Sequence, residues 1–383
     1  MYLQRLLQEP VRQSLAGFPV TAIIGPRQAG KSTLAKHILK SVPNGVYLDL
    51  ERPSDLARLE NAELYLTSQR GKLVCIDEIQ RMPQLFGLLR SLTDEWGTNG
   101  SFLILGSASR DLLKQSSESL AGRIAYQRLS PFSWQELAGK TELATYLARG
   151  GFPPSLLASD DGLSLLWREN FITTFLERDL REYSGASPQS IRRLWTMLAH
   201  VNGETANYSR LGSAMGQSDA TVRSYIDLLA STFMVEVVPP YHSNLGKRLV
   251  KAPKVYIADS GITAALLGLK SYEEILAHPG YGALWEQAVL ATVRAAAPEA
   301  EVFYYRTGGG AEIDFVVATR GAILAVECKG SLNPRPTKGT HHAIADIRPD
   351  QTLIVAPVEE GWPVAEGISV VSLAALAVLL RTL

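Results

Sequence analysis

Eight residues, Gly25-Pro26-Arg27-Gln28-Ala29-Gly30-Lys31-Ser32, fit the pattern G-x-x-x-x-G-K-[ST]. The chemistry of that spacing is phosphate binding. Its glycines let the backbone fold back so that successive N–H groups face phosphate oxygens, and a helix starting there adds partial positive charge. Lys31 would reach the β- and γ-phosphates, and the Ser32 hydroxyl would ligand Mg²⁺. Pro26, Arg27, Gln28, Ala29 and Thr33 complete the segment. A chance glycine-rich turn would lack the required context, which is present here: an apolar β-branched run, Val20–Ile24, before the loop and a helical pattern, Thr33–Leu39, after it. The expected ligand is a nucleoside triphosphate, ATP, with Mg²⁺.

A second pair of residues belongs to the same chemistry. The apolar run Lys72–Ile76 ends in Asp77-Glu78, the form of a Walker B element. Asp77 would hold Mg²⁺ and Glu78 would polarise the attacking water. Ser107 closes a later strand, Ser101–Gly106, where a polar group suits a sensor of that water or of the γ-phosphate; a plain turn serine reads equally well. Arg123 follows Gly122 and is a candidate for stabilising γ-phosphate charge, in cis or from a neighbouring copy in a homo-oligomer. A structural surface arginine is the other reading.

A third set lies far along the chain. Asp314 sits in the strand pattern Glu312–Val317, and Glu327-Cys328-Lys329 ends the next apolar run. Period two puts Glu327 and Lys329 on one strand face, with Cys328 on the other. Two carboxylates and a lysine on adjacent strands are a Mg²⁺-dependent nuclease arrangement. Asp314 and Glu327 would ligand the metal, Glu286 from the preceding helix would complete the shell, and Lys329 would orient or deprotonate water. E-x-K alone is a common pattern of solvated strand faces; the ordered set is what points to a metal site.

The elements that must position these groups divide the chain into three. Residues 1–135 alternate strand and helix, which predicts a parallel sheet with nucleotide at the strand C-termini. Residues 136–245 turn helical: a long helix over Leu163–Leu180 ends in the charge run Glu177-Arg178-Asp179, read as a solvated face. Helices over Ser190–Val201, Tyr208–Met215 and Asp219–Ser231, then the β run Phe233–Val238, have a winged-helix outline. The third of these helices would present Thr221, Arg223 and Ser224. Residues 246–383 combine helices with a sheet, Gly308-Gly309-Gly310 making a hairpin turn.

Composition limits the partners. Lys+Arg and Asp+Glu both number 38, so no global positive field marks a nucleic-acid binder, and four basic residues face four acidic ones over residues 188–245. Contact with double-stranded DNA would be local. Cys75 and Cys328 lie in apolar strand runs, as reduced thiols of a cytoplasmic protein would. No signal peptide pattern opens the sequence. The longest apolar stretch, near Val370–Leu380, falls short of the ~20 residues of a membrane span.

Taken together, Gly25–Ser32, Cys75–Gln80, Leu103–Ser109, Glu118–Arg123, Gly150–Pro153, Leu176–Asp179, Tyr256–Gly261, Glu286, Glu312–Phe315 and Glu327–Lys329 resemble the motifs of a bacterial and archaeal family of predicted ATP-binding proteins. That family joins an N-terminal AAA-type P-loop ATPase domain to a C-terminal domain of unknown function similar to PD-(D/E)XK nucleases. The resemblance spans nearly the whole chain. It implies nucleotide roles for Lys31, Ser32, Asp77 and Glu78, and a nuclease-like site at Asp314, Glu327 and Lys329. Ile313 stands where that nuclease motif carries proline. Two functions follow as expectations: an ATP-regulated DNA-processing enzyme, or an ATP-dependent switch that binds a protein partner and keeps the nuclease-like domain as an inactive scaffold.

Overall fold

The structure, a computed structural model, describes residues 2–107, 118–180, 187–242 and 250–383, with the backbone alone at positions 107, 178 and 179. Two compact units result: residues 1–131 with 231–233, and residues 132–230 with 234–383.

The first unit is built on five parallel strands: β1 (Val20–Gly25), β2 (Val46–Asp49), β3 (Val74–Asp77), β4 (Phe102–Ser107) and β5 (Ile124–Arg128). Their order is β2-β3-β4-β1-β5. β1 and β3 are buried along their whole length and, apart from Thr21 and Asp77, carry no polar side chain, because both sheet faces are covered. Val20, Ala22, Ile76 and Ile104 pack with Phe86, Leu89 and Trp96 of the helix Leu85–Trp96. Ile23, Cys75 and Leu103 pack on the other face with Val11 and with Leu34 and Ile38. Between β2 and β3 lie two short helices, Pro53–Arg58 and Ala62–Thr67.

The order has a functional consequence. β4 runs between the loop strand β1 and the acidic strand β3, in parallel register with both. Ser107 is the register partner of Gly25, so the end of β4 falls between the glycine loop and Asp77. The backbone position therefore suits a sensor; the Ser107 side chain lies outside the described residues, as do Ser109 and the side chains of Arg178 and Asp179.

In the second unit the helix expected over Leu163–Leu180 is α-helical over Asp161–Thr174 and widens to a π-helical turn over Phe175–Asp179. Helices Pro188–His200, Tyr208–Met215 and Asp219–Ser231 precede an antiparallel pair, β6 (Val235–Val238) and β7 (Lys254–Ile257). Trp195 is wholly buried at the centre of this helical core. On the third helix Arg223 and Ser224 are exposed, whereas Thr221 is half-buried and bonded to Ser218. Arg223 lies over the Tyr208 ring at 4.5 Å.

The remaining strands are β8 (Glu301–Arg306), β9 (Glu312–Ala318), β10 (Ile323–Cys328), β11 (Gln351–Val355), β12 (Trp362–Ala365) and β13 (Ile368–Val371). They form one mixed sheet in the order β12-β13-β11-β10-β9-β8. Helices Tyr281–Ala296 and Leu373–Thr382 cover one face through Trp285, Val289, Leu376 and Leu380. Helix Lys338–Ile347 covers the other through Ala343 and Ile347.

Two motifs that the sequence singles out meet in this unit as packing. Gly151 approaches the backbone so closely that a Cβ would stand 2.1 Å from the Phe132 carbonyl oxygen, and one on Gly261 would stand 2.2 Å from that of Arg149. Asp259 accepts from the Gly151 N–H (2.7 Å) and, as helix cap, from that of Ile262 (3.0 Å). Burial pushes its carboxyl up despite those bonds. Buried Arg168 donates to the carbonyls of Ala148 (2.8 Å) and Gly261 (3.0 Å). Gly150–Pro153 and Asp259–Gly261 thus serve backbone approach rather than reaction chemistry.

Candidate functional site

At the C-terminal ends of β1 and β3 the predicted nucleotide residues come together. Gly25 is required because the backbone of residue 129 passes it: a Cβ would meet the Leu129 carbonyl oxygen at 2.1 Å. Gln28 and Gly30 take positive φ, 60° and 99°. Such alternation of backbone hand is what makes an anion-binding concavity. Helix Lys31–Leu39 begins immediately after it. The Lys31 ammonium curls over this loop and donates to the carbonyls of Gly25 and Pro26, both at 2.9 Å.

Asp77 is buried at the end of β3. Its carboxylate accepts from the Tyr47 hydroxyl on the adjacent strand β2, and Ser32 lies in the first turn of helix Lys31–Leu39. Burial, and after it the Asp77 carboxylate, pushes the Tyr47 hydroxyl up. Lys36 lies over the Tyr47 ring at 4.5 Å. The Asp77 carboxylate, buried at the end of β3, and the Ser32 hydroxyl, one residue past Lys31 of the loop, are hard oxygen donors of the kind Mg²⁺ takes. The residues present fit that ion.

Glu78 follows with φ 56°. That left-handed turn stops the strand and gives the side chain a direction that an extended residue would not have. The Glu78 N–H donates to the Asp77 carboxylate at 3.0 Å, and the Gln80 amide holds one Glu78 carboxylate oxygen. Two further residues that sequence reasoning missed belong here. Tyr47 is one. Arg5 is the other: it is buried and donates to the Ala29 carbonyl (2.8 Å) and to that of Ser130 (2.6 Å), bracing the loop from the N-terminal segment. Neither carries a local signal, because each is joined to the site only through distant pairing.

Arg123 requires a correction. It precedes β5 at the end where that strand begins, its carbonyl accepting from the Val20 N–H at the start of β1. The nucleotide loop is at the other end of β1. The guanidinium forms a fork with Asp94, at 2.5 and 3.0 Å, and bonds the Ala121 carbonyl. The reason is topological: β5 lies beside β1 but the chain enters it at the N-terminal ends of the strands, opposite the loop, so Arg123 stands away from a γ-phosphate in cis.

The C-terminal set is brought together in part. Asp314 lies at a bulge of β9, where the pairing with β8 slips by one residue between Phe303 and Tyr305. Bulges commonly re-aim a side chain in this way. One Asp314 oxygen accepts from the Cys328 N–H at 2.8 Å, beyond the last β9–β10 register pair at Val326. Its other oxygen faces Lys254 of β7 at 3.4 Å. Glu286, on helix Tyr281–Ala296, accepts from the Tyr256 hydroxyl at 2.8 Å. Glu327 and Lys329 form an ion pair at 2.7 Å, and Thr340 donates to the same Glu327 oxygen at 3.2 Å.

Lys254 is the residue no motif marked. It is 3 % exposed, and its ammonium stands 3.4 Å from Asp314, 3.4 Å from Glu312 and 3.6 Å from Glu286. Burial opposes its charge, but Glu286, Asp314 and Glu312 together hold its pKa above the ordinary lysine value. Glu286 is pushed up to about 7 by burial and then by Asp314, and Glu327 likewise to about 7. The expected three-carboxylate metal shell of Glu286, Asp314 and Glu327 does not form: Glu327 is taken by Lys329 and Thr340, and a lysine stands against the other two. Among the described residues no group of three metal-ligating side chains suits an ion. The residues present do not fit the metal.

Comparisons agree with this architecture. Residues 17–138 match the AAA domain, residues 140–273 a domain of unknown function (DUF8612) and residues 281–376 another (DUF4143). The uncharacterized protein Rv2008c of Mycobacterium tuberculosis is 37% identical over 359 residues, covering 94% of this chain and 81% of that protein. An uncharacterized protein of Haemophilus influenzae is 23% identical over 302 residues, covering 70% of this chain and 73% of that one. Among solved structures, the Walker-type ATPase PABY2304 of Pyrococcus abyssi shares the fold at a TM-score of 0.50 and 16% identity, covering 70% of this chain and 96% of that one. No described helix is long and apolar enough to cross a membrane.

Proposed function

This chain belongs to the family of its mycobacterial relative, an AAA-type Walker ATPase domain joined to two domains of unknown function, and on that premise we propose a Mg²⁺-dependent ATPase that works as a nucleotide-driven switch. The observation that carries the reading is the glycine loop at the end of β1, running directly into helix Lys31–Leu39 with the Lys31 ammonium folded over it, in the same parallel sheet whose strand β3 ends in buried Asp77 beside Glu78. The division at 1–135, 136–245 and 246–383 is kept as its domain plan.

Within this reading the loop N–H groups from Gly25 to Thr33 bind the phosphates, and Lys31 offsets charge on the β- and γ-groups. Ser32 and Asp77 hold Mg²⁺, which supplies electrostatic stabilisation of the phosphoryl charge when bound. Glu78 orients a water for in-line attack, which forms a new O–P bond at the γ-phosphorus and breaks its bond to the bridging oxygen. The water proton passes to the Glu78 carboxylate. Ser107 takes the sensor role from the end of β4.

The switch acts on a protein partner, the C-terminal domain serving as scaffold. In support stand the equal numbers of acidic and basic residues and the lysine among the C-terminal carboxylates. DNA processing is the second reading, favoured by the gathering of Asp314, Glu327 and Lys329 at adjacent strand ends. It predicts DNA affinity that falls steeply with salt, because phosphate contacts release counterions. A role for Arg123 across a homo-oligomer would require its Asp94 fork to open. The ATPase reading is tested by phosphate release in a Mg²⁺ titration: Asp77→Asn is expected to need far more Mg²⁺ than wild type. An unchanged Mg²⁺ requirement would contradict it.

A further inference from the structure

The carboxylates Glu286, Glu312 and Asp314 come from two elements, a helix and β9, and point at one spot. What fills that spot is the ammonium of Lys254, 3.4–3.6 Å from all three. We propose that Lys254 is the resident cation of this cluster: it holds the place a divalent metal would take, so that the folded chain binds no metal there.

Three observations converge on this. The lysine is built in rather than draped over the surface. Its strand is fixed on both sides, by β6 and by bonds from Gly203 and Ala206 to the carbonyls of Val255 and Pro253, so the buried stem that carries the amine is anchored at its backbone. The carboxylates have further partners as well: the Glu286 oxygen that faces Lys254 also accepts from the Tyr256 hydroxyl, the second Asp314 oxygen accepts from the Cys328 N–H, and the second Glu312 oxygen pairs with Arg306 at 3.6 Å. Finally, Glu327, the carboxylate that a metal would recruit from β10, closes on Lys329 and Thr340.

The cluster has a second effect. Lys254 belongs to the β6–β7 pair, and its three partners belong to β9 of the six-stranded sheet and to helix Tyr281–Ala296 that covers it. The same pair continues as Pro239–Tyr241, which bonds the edge strand β8 through the Tyr304 N–H and carbonyl. The ion cluster therefore fastens the hairpin of the helical segment to the C-terminal sheet. This does not depend on the ATPase reading, and its test does not measure turnover.

The test is Mn²⁺ binding to the full chain, read as loss of the free-ion electron paramagnetic resonance signal. Any Mn²⁺ bound by wild type is expected to vanish in Asp77→Asn. Lys254→Ala is expected to gain one site, which Lys254→Ala combined with Asp314→Asn loses again. A wild-type Mn²⁺ that survives Asp77→Asn and is lost in Asp314→Asn would overturn the proposal. So would a folded Lys254→Ala that takes up no additional Mn²⁺. Where Lys254→Ala does not fold, the Asp77→Asn and Asp314→Asn arms decide alone.

Discussion

Glu78→Gln is expected to lower ATP turnover by about 10²–10⁴-fold, the usual contribution of a positioned general base, while ATP still binds. Glutamine keeps the shape and the hydrogen-bonding reach of the side chain but cannot accept the proton of the attacking water. Its environment is preserved too: the positive φ and the N–H bond to Asp77 are backbone features that the substitution leaves alone. Binding rests on other atoms, the loop N–H groups, Lys31 and Ser32. The measurement is single-turnover phosphate release beside the dissociation constant of a fluorescent ATP analogue. Parallel loss of turnover and binding would mean that Glu78 shapes the loop rather than the reaction.

Lys254→Met is expected to destabilise the second unit by about 3–5 kcal/mol, the range for removing one partner of a buried ion pair. Methionine fills a similar volume, so little cavity is left and the loss is chiefly electrostatic. Glu286 and Asp314 lose the Lys254 ammonium, while Glu312 keeps Arg306 at 3.6 Å. The sign with pH follows. Glu286 already has a pKa raised to about 7 by burial and by Asp314, and removing the lysine withdraws the influence that favours its ionised form. The penalty is greatest above pH 7, where Glu286 is ionised, and shrinks as pH falls toward about 4.5 and Glu286 takes up its proton. Urea unfolding at pH 5 and pH 8 checks this. A loss that is equal at both pH values would show that Lys254 contributes packing and not charge.

How much of this could be read from the chain depended on the range of the interaction that creates each feature. Lys31, Ser32, Asp77 and Glu78 were legible because phosphate chemistry needs fixed residue types at short, fixed spacing, set in elements whose periodicity is itself local. The insertion of β4 between β1 and β3 was not, since strand order is decided by packing across the whole unit. Tyr47 and Lys254 each sit in an ordinary strand, and only pairing with Asp77, 30 residues on, or Asp314, 60 residues on, gives them a role. Arg123 was left between two readings for the converse reason: a glycine–arginine pair before a strand fits a phosphate contact or a surface arginine alike until the strand's direction and the Asp94 fork are known. Glu327 and Lys329 did share a face as period two requires, and their pairing with each other is what withdraws Glu327 from the expected metal shell.

The central claim is that this chain hydrolyses ATP at the Lys31 loop and cuts nothing at its C-terminal carboxylates. One measurement addresses both halves: phosphate release and plasmid nicking followed in the same Mg²⁺-containing reaction, with wild type, Lys31→Ala and Asp314→Ala side by side. The expected result is phosphate release by wild type and Asp314→Ala, none by Lys31→Ala, and intact plasmid throughout. Wild type that releases no phosphate, or plasmid nicking that Asp314→Ala abolishes, would contradict the account.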